Sequence, residues 1–237
     1  MKKTVTNIRH FSLAELEEYF EELGEKKFRA KQVYEWIWQK HAMSFADMTN
    51  LSKDLRQKLG ENFTLPSLST DATQFSSDGT IKSRFKTHDG HLIEGVLIPT
   101  KARFTACVSS QIGCSLSCKF CATGYIDRKR NLEFDEIYDQ VALINQQSEK
   151  TNGKKLSNIV FMGMGEPLLN YKNVLKSIER ITSPDGMAMS PKRITVSTAG
   201  VAKGIRQLGD DKVKFKLALS LHAATDKKRH EIMPIND

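Results

Sequence analysis

Cysteine is missing from most of this sequence. Residues 1–106 and 122–237 contain none, and all four thiols fall between positions 107 and 121. That distribution excludes a disulfide framework, which spreads paired cysteines along a small exported chain. There is also no run of eighteen apolar residues, so no segment has the composition of a membrane-spanning helix. Met1-Lys2-Lys3-Thr4 is not followed by an apolar signal segment. Clustered free thiols without an export signal lead us to expect a cytoplasmic location and no membrane partner. Acidic residues are outnumbered, 28 against 36 basic, which gives a net charge of +8 and a pI near 9.2. The excess favours a polyanionic partner without specifying one. A hydrophobic fraction of 39% supports a core, and 237 residues suffice for one large domain or for a small one joined to a larger one.

What the sequence does have is Cys114-Ser115-Leu116-Ser117-Cys118-Lys119-Phe120-Cys121. A Cys-x3-Cys-x2-Cys run offers three thiolates from one tight loop. A four-iron cluster takes four thiolates, so three local ligands leave one iron open to a substrate or cofactor if Cys107 stays out. The competing reading is a structural zinc site using all four cysteines, although such sites usually pair two knuckles across a longer loop. Cys107 instead sits seven residues upstream, on an expected strand over 103–109. Spacing favours iron and sulfur but leaves zinc open.

Residues 12–60 carry helical signals. Ser12 and Glu15 form a capping-box pattern ahead of Leu13, Leu16, Phe20 and Leu23, with Gly24 as the stop. A second helix is expected over 30–40 and a third over 52–60, with Lys26, Lys27, Arg29, Lys31 and Lys40 on a basic side. From 69 to 110 the pattern turns to strands. Asp78-Gly79 and Asp89-Gly90 are hairpin dipeptides, so 80–87, 91–99 and 103–109 are expected to form a meander. Glu94 falls within it, by composition an exposed strand residue. Strands and helices then alternate: a helix over 133–147, a strand over 158–162, a helix from Tyr171, a strand over 193–197, a helix over 201–208, a strand over 214–221 and a helix start at Thr225. Repeated βα units imply a parallel sheet with right-handed crossovers. The expected fold is α/β, a partial (βα) barrel over 103–237 preceded by a helical domain (1–65) and a β-meander linker (66–102).

In βα barrels the reactive groups lie at the carboxyl ends of the strands. Each motif here follows an expected strand. The cysteine loop comes first, then Gly163-Met164-Gly165-Glu166-Pro167, Ser197-Thr198-Ala199-Gly200 and Ser220-Leu221-His222. Glycines 163 and 165 let backbone approach a ligand closely, and Glu166 can accept a hydrogen bond from an ammonium. Ser197 and Ser220 offer hydroxyls that are ordinary strand-end caps in most proteins, and His222 taken alone reads as a core histidine before it reads as a ligand contact. Lys119, Arg128, Lys129, Arg130, Lys227, Lys228 and Arg229 make the same rim basic.

The cysteine run with Phe120 before its last thiol resembles the radical S-adenosylmethionine (SAM) superfamily. The longer stretch from Cys107 to Gly124, with residues 161–167 and 232–237, resembles the RlmN family of dual-specificity RNA methyltransferases from about residue 10 onward. The resemblance implies a 4Fe-4S cluster on Cys114, Cys118 and Cys121, and SAM contacts at Gly165, Glu166, Ser197, Ser220, Leu221 and His222. It implies catalytic roles for Glu94, as a proton acceptor, and for Cys107. The implied reaction is methylation of adenine C2 in 23S ribosomal RNA and in transfer RNA, with a flavodoxin-like electron donor and a monomeric enzyme. Electron-poor C2 resists ordinary polar methyl transfer, so radical chemistry suits it. In the family a methyl group is first placed on a second cysteine near the C-terminus, and Cys107 matches the thiol that resolves the RNA adduct as a disulfide. No cysteine follows Cys121 here. The resemblance therefore leads us to expect that the family's C-terminal part is missing and that this chain alone does not complete methylation. A sister group that methylates adenine C8 and confers antibiotic resistance shares most of these motifs, and Pro167 after Gly165-Glu166 favours the C2 branch. The reading from another class is a zinc-stapled, non-catalytic RNA-binding protein.

Overall fold

The structure, a computed structural model, describes residues 6–235. Expectations about the first residues and about Asn236 and Asp237, the end of the 232–237 motif, lie outside the described residues. The chain divides into two units, residues 1–67 with 183–188, and residues 68–182 with 189–237.

The first unit is helical. Strand β1 (Thr6–Asn7) precedes helices α1 (Leu13–Glu22), α2 (Lys27–Trp38) and α3 (Lys53–Asn62), and β2 (Phe63–Thr64) pairs parallel with β1. The capping box forms. Ser12 N–H donates to Glu15 Oε2 at 2.7 Å, and Glu15 N–H donates to Ser12 Oγ at 3.3 Å. Gly24, at φ 74°, ends the helix as expected. Ser52 caps α3 through the N–H of Leu55. Helix α2 starts about a turn before the expected position because its cap residue, Lys26, makes no side-chain cap bond and so leaves no local signal. Helix α3 runs past Gly60, where a glycine costs only about 1 kcal/mol. Leu16, Phe20, Val33, Ile37, Trp38, Leu55 and Leu59 form the buried stripe, as the spacing predicts.

The second unit is built on one seven-stranded sheet in the order β11-β10-β9-β6-β5-β4-β3. Its meander strands are β3 (Ser69–Phe75), β4 (Ile81–Lys86), β5 (Leu92–Pro99) and β6 (Phe104–Cys107). Glycines 79 and 90 make the two turns at φ 83° and 85°. Strand β3 has no apolar alternation and is exposed except at half-buried Thr73, so a period-2 reading does not delimit it. After β6 come the short β7 (Gln111–Ile112) and β8 (Arg130–Asn131), antiparallel to each other, then α4 (Phe134–Asn152), β9 (Asn158–Phe161), α5 (Tyr171–Thr182), β10 (Ile194–Thr198), α6 (Ala202–Asp210), β11 (Lys216–Leu219) and α7 (Asp226–Ile232). Strand β6 is the pivot, antiparallel to β5 and parallel to β9. Meander and barrel strands therefore share one continuous sheet, with four parallel strands at its far end.

The two faces of the sheet differ. Ile93, Leu97, Ala106, Ile159, Ile194 and Val196 are fully buried on the outer face, where α4 contributes Ile137, Val141 and Ile144. Gly95 lies under α4, and a Cβ there would come within 3.0 Å of Ile144. Each isoleucine, leucine or valine in this set adds roughly 2 kcal/mol on burial. A one-residue slip would expose the whole set, so the register is strongly specified. The inner face follows from that register. Gln74, Lys82, Val96, Cys107, Val160, Thr195 and Lys216 lie opposite one another in a row across all seven strands.

Candidate active site at the carboxyl ends of the parallel strands

Four loops leave the carboxyl ends of β6, β9, β10 and β11 and enclose a cavity of about 270 Å³. This is just below the usual range of small-molecule sites. The first loop carries the cysteines. Its neck is the β7–β8 pair, and Cys114 N–H donates to the carbonyl of Ile126 at 3.1 Å to close it. Gly113, at φ 73°, stands where a Cβ would lie 2.2 Å from the carbonyl oxygen of Asp127. Only glycine fits at that point. Cys114, Cys118 and Cys121 all line the cavity, and none is in a disulfide. Burial pushes the Cys114 and Cys118 thiols up from the ordinary value, and the neighbouring thiols add to this through like-charge repulsion.

Gly163 and Gly165 enter the cavity wall on the second loop, and their missing side chains also serve the packing of the loops. A Cβ on Gly163 would lie 2.7 Å from Ser109 Oγ, and one on Gly165 would lie 2.4 Å from Gln111 Cβ. The glycines thus make room for the neighbouring first loop. Polar bonds lock the two together. Ser109 Oγ accepts from the N–H of Met164 at 2.9 Å and donates to the backbone carbonyl of Glu94 at 2.6 Å. Gln111 Oε1 accepts from the N–H of Glu166 at 2.9 Å. Gln140, buried on α4, holds both the N–H and the carbonyl of Ser109. None of these amides stood out in the sequence, since their partners lie 31 to 55 residues away.

Glu166 is buried and lines the cavity. Its Oε1 accepts from the N–H of Leu168 at 3.0 Å and its Oε2 from the N–H of Ala199 at 2.7 Å. Burial raises its carboxyl above the ordinary carboxylate range, and those N–H groups oppose the shift. Its carboxylate therefore ties the second loop to the third. Ser197 Oγ and Ser220 Oγ share a hydrogen bond of 3.0 Å on the third and fourth loops. The ring of His222, at φ 59°, lies 4.0 Å from that of Phe120 between centroids. Met233 is buried against Cys118 and Ala199, and Lys119 N–H donates to the carbonyl of Ile232 at 3.0 Å. Arg229 donates to the carbonyls of Ala199 and Leu221.

Of the expected residues, the cavity gathers Cys114, Cys118, Cys121, Gly165, Glu166, Ser197, Ser220 and His222. Cys107, Glu94 and Leu221 do not line it. Leu221 points to solvent at 55% exposure and offers its carbonyl to Arg229 and to the N–H of Ala223. Cys107 lies on the inner face beside Val96 and Val160. Burial raises its thiol, partly offset by the N–H of Met162. Glu94 is on the same face, ion-paired to Lys82 at 2.7 Å. Arg130, expected among the rim's basic groups, is instead held by Asp89 and Glu136 at 2.7 and 2.6 Å, and is a structural clamp at the neck of the cysteine loop. Phe120, Thr198 and Met233 are also among the lining residues.

Two family models match the chain. The ribosomal RNA large subunit methyltransferase N-terminal domain covers residues 6–65, and the radical SAM superfamily covers residues 108–237. A probable dual-specificity RNA methyltransferase RlmN from Cytophaga hutchinsonii is 61% identical over 97% of this chain and 63% of its own length. A dual-specificity RNA methyltransferase RlmN from Geotalea uraniireducens is 46% identical over 97% of this chain and 65% of its own length. The crystal structure of a radical SAM methyltransferase from Sphaerobacter thermophilus superimposes with a TM-score of 0.89 at 38% identity, covering 98% of this chain and 68% of that one. The chain thus spans about two thirds of the length of the relatives it matches.

Proposed function

The chain belongs to the RlmN family of radical SAM methyltransferases, and from that premise we propose that it takes part in methylating adenine C2 in 23S ribosomal RNA and in transfer RNA. The observation that carries the reading is the convergence of three free cysteines with the glycine, serine and histidine motifs on one cavity. A zinc staple would require no such lining. The donor set fits a 4Fe-4S cluster, because the three thiols come from one loop and no fourth cysteine lines the cavity. Bound there, the cluster would supply an electron to SAM at its open iron, which is the cofactor's own chemistry.

The protein's part is orientation. Gly165, Ser197, Ser220 and His222 line the space beside the cysteines and would hold SAM, while Glu166 fixes the second and third loops at one separation. Leu221 enters this set through its backbone alone. Cys107 and Glu94 act from the inner face of the sheet, where an unstacked adenine has to arrive. Cys107, its thiol raised by burial, has to lose its proton to resolve the adduct as a disulfide with the family's second cysteine, which no residue after Cys121 supplies here, and Glu94 accepts a proton once Lys82 releases it. The helical unit (1–65) contributes to RNA binding through its exposed lysines, the meander (66–102) links it to the core (103–237), and a flavodoxin-like protein supplies electrons to a cytoplasmic monomer.

Anaerobic reconstitution tests the centre. The expected result is about four irons per chain, brown absorption and 5′-deoxyadenosine formation when SAM and reductant are added. Zinc at one per chain with no iron would sink the reading. RNA from cells lacking this gene should lose 2-methyladenosine in both ribosomal and transfer RNA. Loss of 8-methyladenosine would assign the C8 reaction instead.

A further inference from the structure

We propose that β4 is the strip that holds the RNA backbone beside the reactive face, through Lys82, Arg84 and Lys86. The proposal rests on the RNA-methylating reading and adds to it the surface that positions the substrate. Along β4 burial alternates strictly. Ile81, Ser83 and Phe85 are buried on the outer face, and Lys82, Arg84 and Lys86 are exposed on the inner one. The register places Lys82 opposite Val96, which is itself opposite Cys107. Arg84 and Lys86 follow on the same side, opposite Glu94 and Leu92. The basic strip and Cys107 therefore share one face of one sheet, two strand spacings apart. That is about 10 Å, a distance one nucleotide spans from base edge to phosphate.

The charges around the strip point to a polyanion. Lys82 is paired with Glu94 at 2.7 Å and Arg84 with Asp71 at 2.5 Å, and both cations stay about half exposed. Among the described residues, Lys86 makes no ion pair with a carboxylate, so the strip keeps a net positive charge. Exposed pairs of this kind are worth only about 0–1 kcal/mol, so a phosphate can displace either carboxylate at little cost. Leu92, Val96 and Ile98 lie on the same inner face, with Leu92 and Ile98 exposed, and offer apolar surface to an unstacked base. An acidic protein would be drawn by the charge as well, and the experiment separates the two.

Binding of unmodified in vitro transcribed transfer RNA to the full chain, measured at several salt concentrations, tests the strip. The variants are Lys82→Gln, Arg84→Gln and Lys86→Gln, singly and together, with a triple Lys150→Gln, Lys154→Gln, Lys155→Gln variant on another surface as the equal-charge control. Thermal midpoints establish that each variant folds. The strip triple should weaken binding at least tenfold relative to the control and flatten the log–log salt slope by about 2, near 0.7 per lost phosphate contact. Lys86→Gln alone, which breaks no ion pair, should flatten it by about 0.7. If wild type binds with a steep slope and the strip triple matches the control, the strip is overturned while the RNA reading stands. If wild type shows no salt-dependent RNA binding, the RNA reading itself fails and the strip falls with it.

Discussion

Glycines 163 and 165 show how much a single atom decides in this site. At both positions an added Cβ would meet the neighbouring loop well inside contact distance, and Gly165 also sits at φ 90°. Gly165→Ala therefore combines overlap with backbone strain. It should lower the thermal midpoint by several degrees and reduce retained iron, whereas Gly209→Ala, with nothing within 4 Å of the new methyl in α6, should raise stability by about 0.5–1 kcal/mol. Equal effects from the two substitutions would show that the loops accommodate a methyl. The thiols divide in the same way. Cys107 stands on the sheet and outside the cavity, so Cys107→Ala should leave reconstituted iron near wild type while Cys118→Ala removes it. Iron loss in both would make Cys107 a fourth ligand and close the open position.

At the scale of elements, the helices of the first unit form largely on local signals, and a half-buried histidine adds a pH dependence. His41, just past α2, is pushed down to about 4 by burial first and by the charge of Arg9 second. A histidine whose folded pKa lies below its unfolded value binds its proton more readily when unfolded. Its contribution to stability is therefore present above about pH 6.5 and is lost as pH falls from there toward about 4. Thermal unfolding should show wild type losing more stability between pH 7 and pH 5 than His41→Gln does. Parallel pH profiles for the two proteins would exclude the histidine as the cause. In the second unit the corresponding device is the Arg130 clamp. It joins β8, the Asp89 turn and the start of α4, and so braces the neck of the cysteine loop.

For the whole molecule, the seven-stranded sheet sets what is covered and what is open. Strand β11 pairs only with β10 and is the last strand at that side of the described sheet, with Leu217 and Leu219 at 43% and 55% exposure. Exposed apolar edge strands template association. Leu219→Lys should therefore reduce concentration-dependent aggregation of this chain, read by light scattering, with little change in the thermal midpoint. Unchanged aggregation would place the sticky surface elsewhere. The same sheet brings Cys107, Glu94 and the basic strip of β4 onto one face, although they are separated by up to 25 positions in the chain.

The sequence by itself determined whatever depends on a few neighbouring residues. The capping box at Ser12, the turns at Gly79 and Gly90, the three thiols of one loop and the strand-then-motif order of the rim all follow from local backbone chemistry, and all appear in the structure where the residues predict them. The uncapped start of α2 at Lys27 and the extent of the polar strand β3 were not legible, because nothing near them in sequence marks them. Only the tertiary structure decided that Gly163 and Gly165 give way to Ser109 and Gln111, that Glu166 spends its oxygens on Leu168 and Ala199, and that Arg130 is bound to Asp89 and Glu136. It also decided which face of the sheet Cys107 and Glu94 share. Apart from the short-range bonds of Glu166 to Leu168 and of Arg130 to Glu136, those outcomes rest on strand register and on contacts across 31 or more residues, which no local pattern encodes.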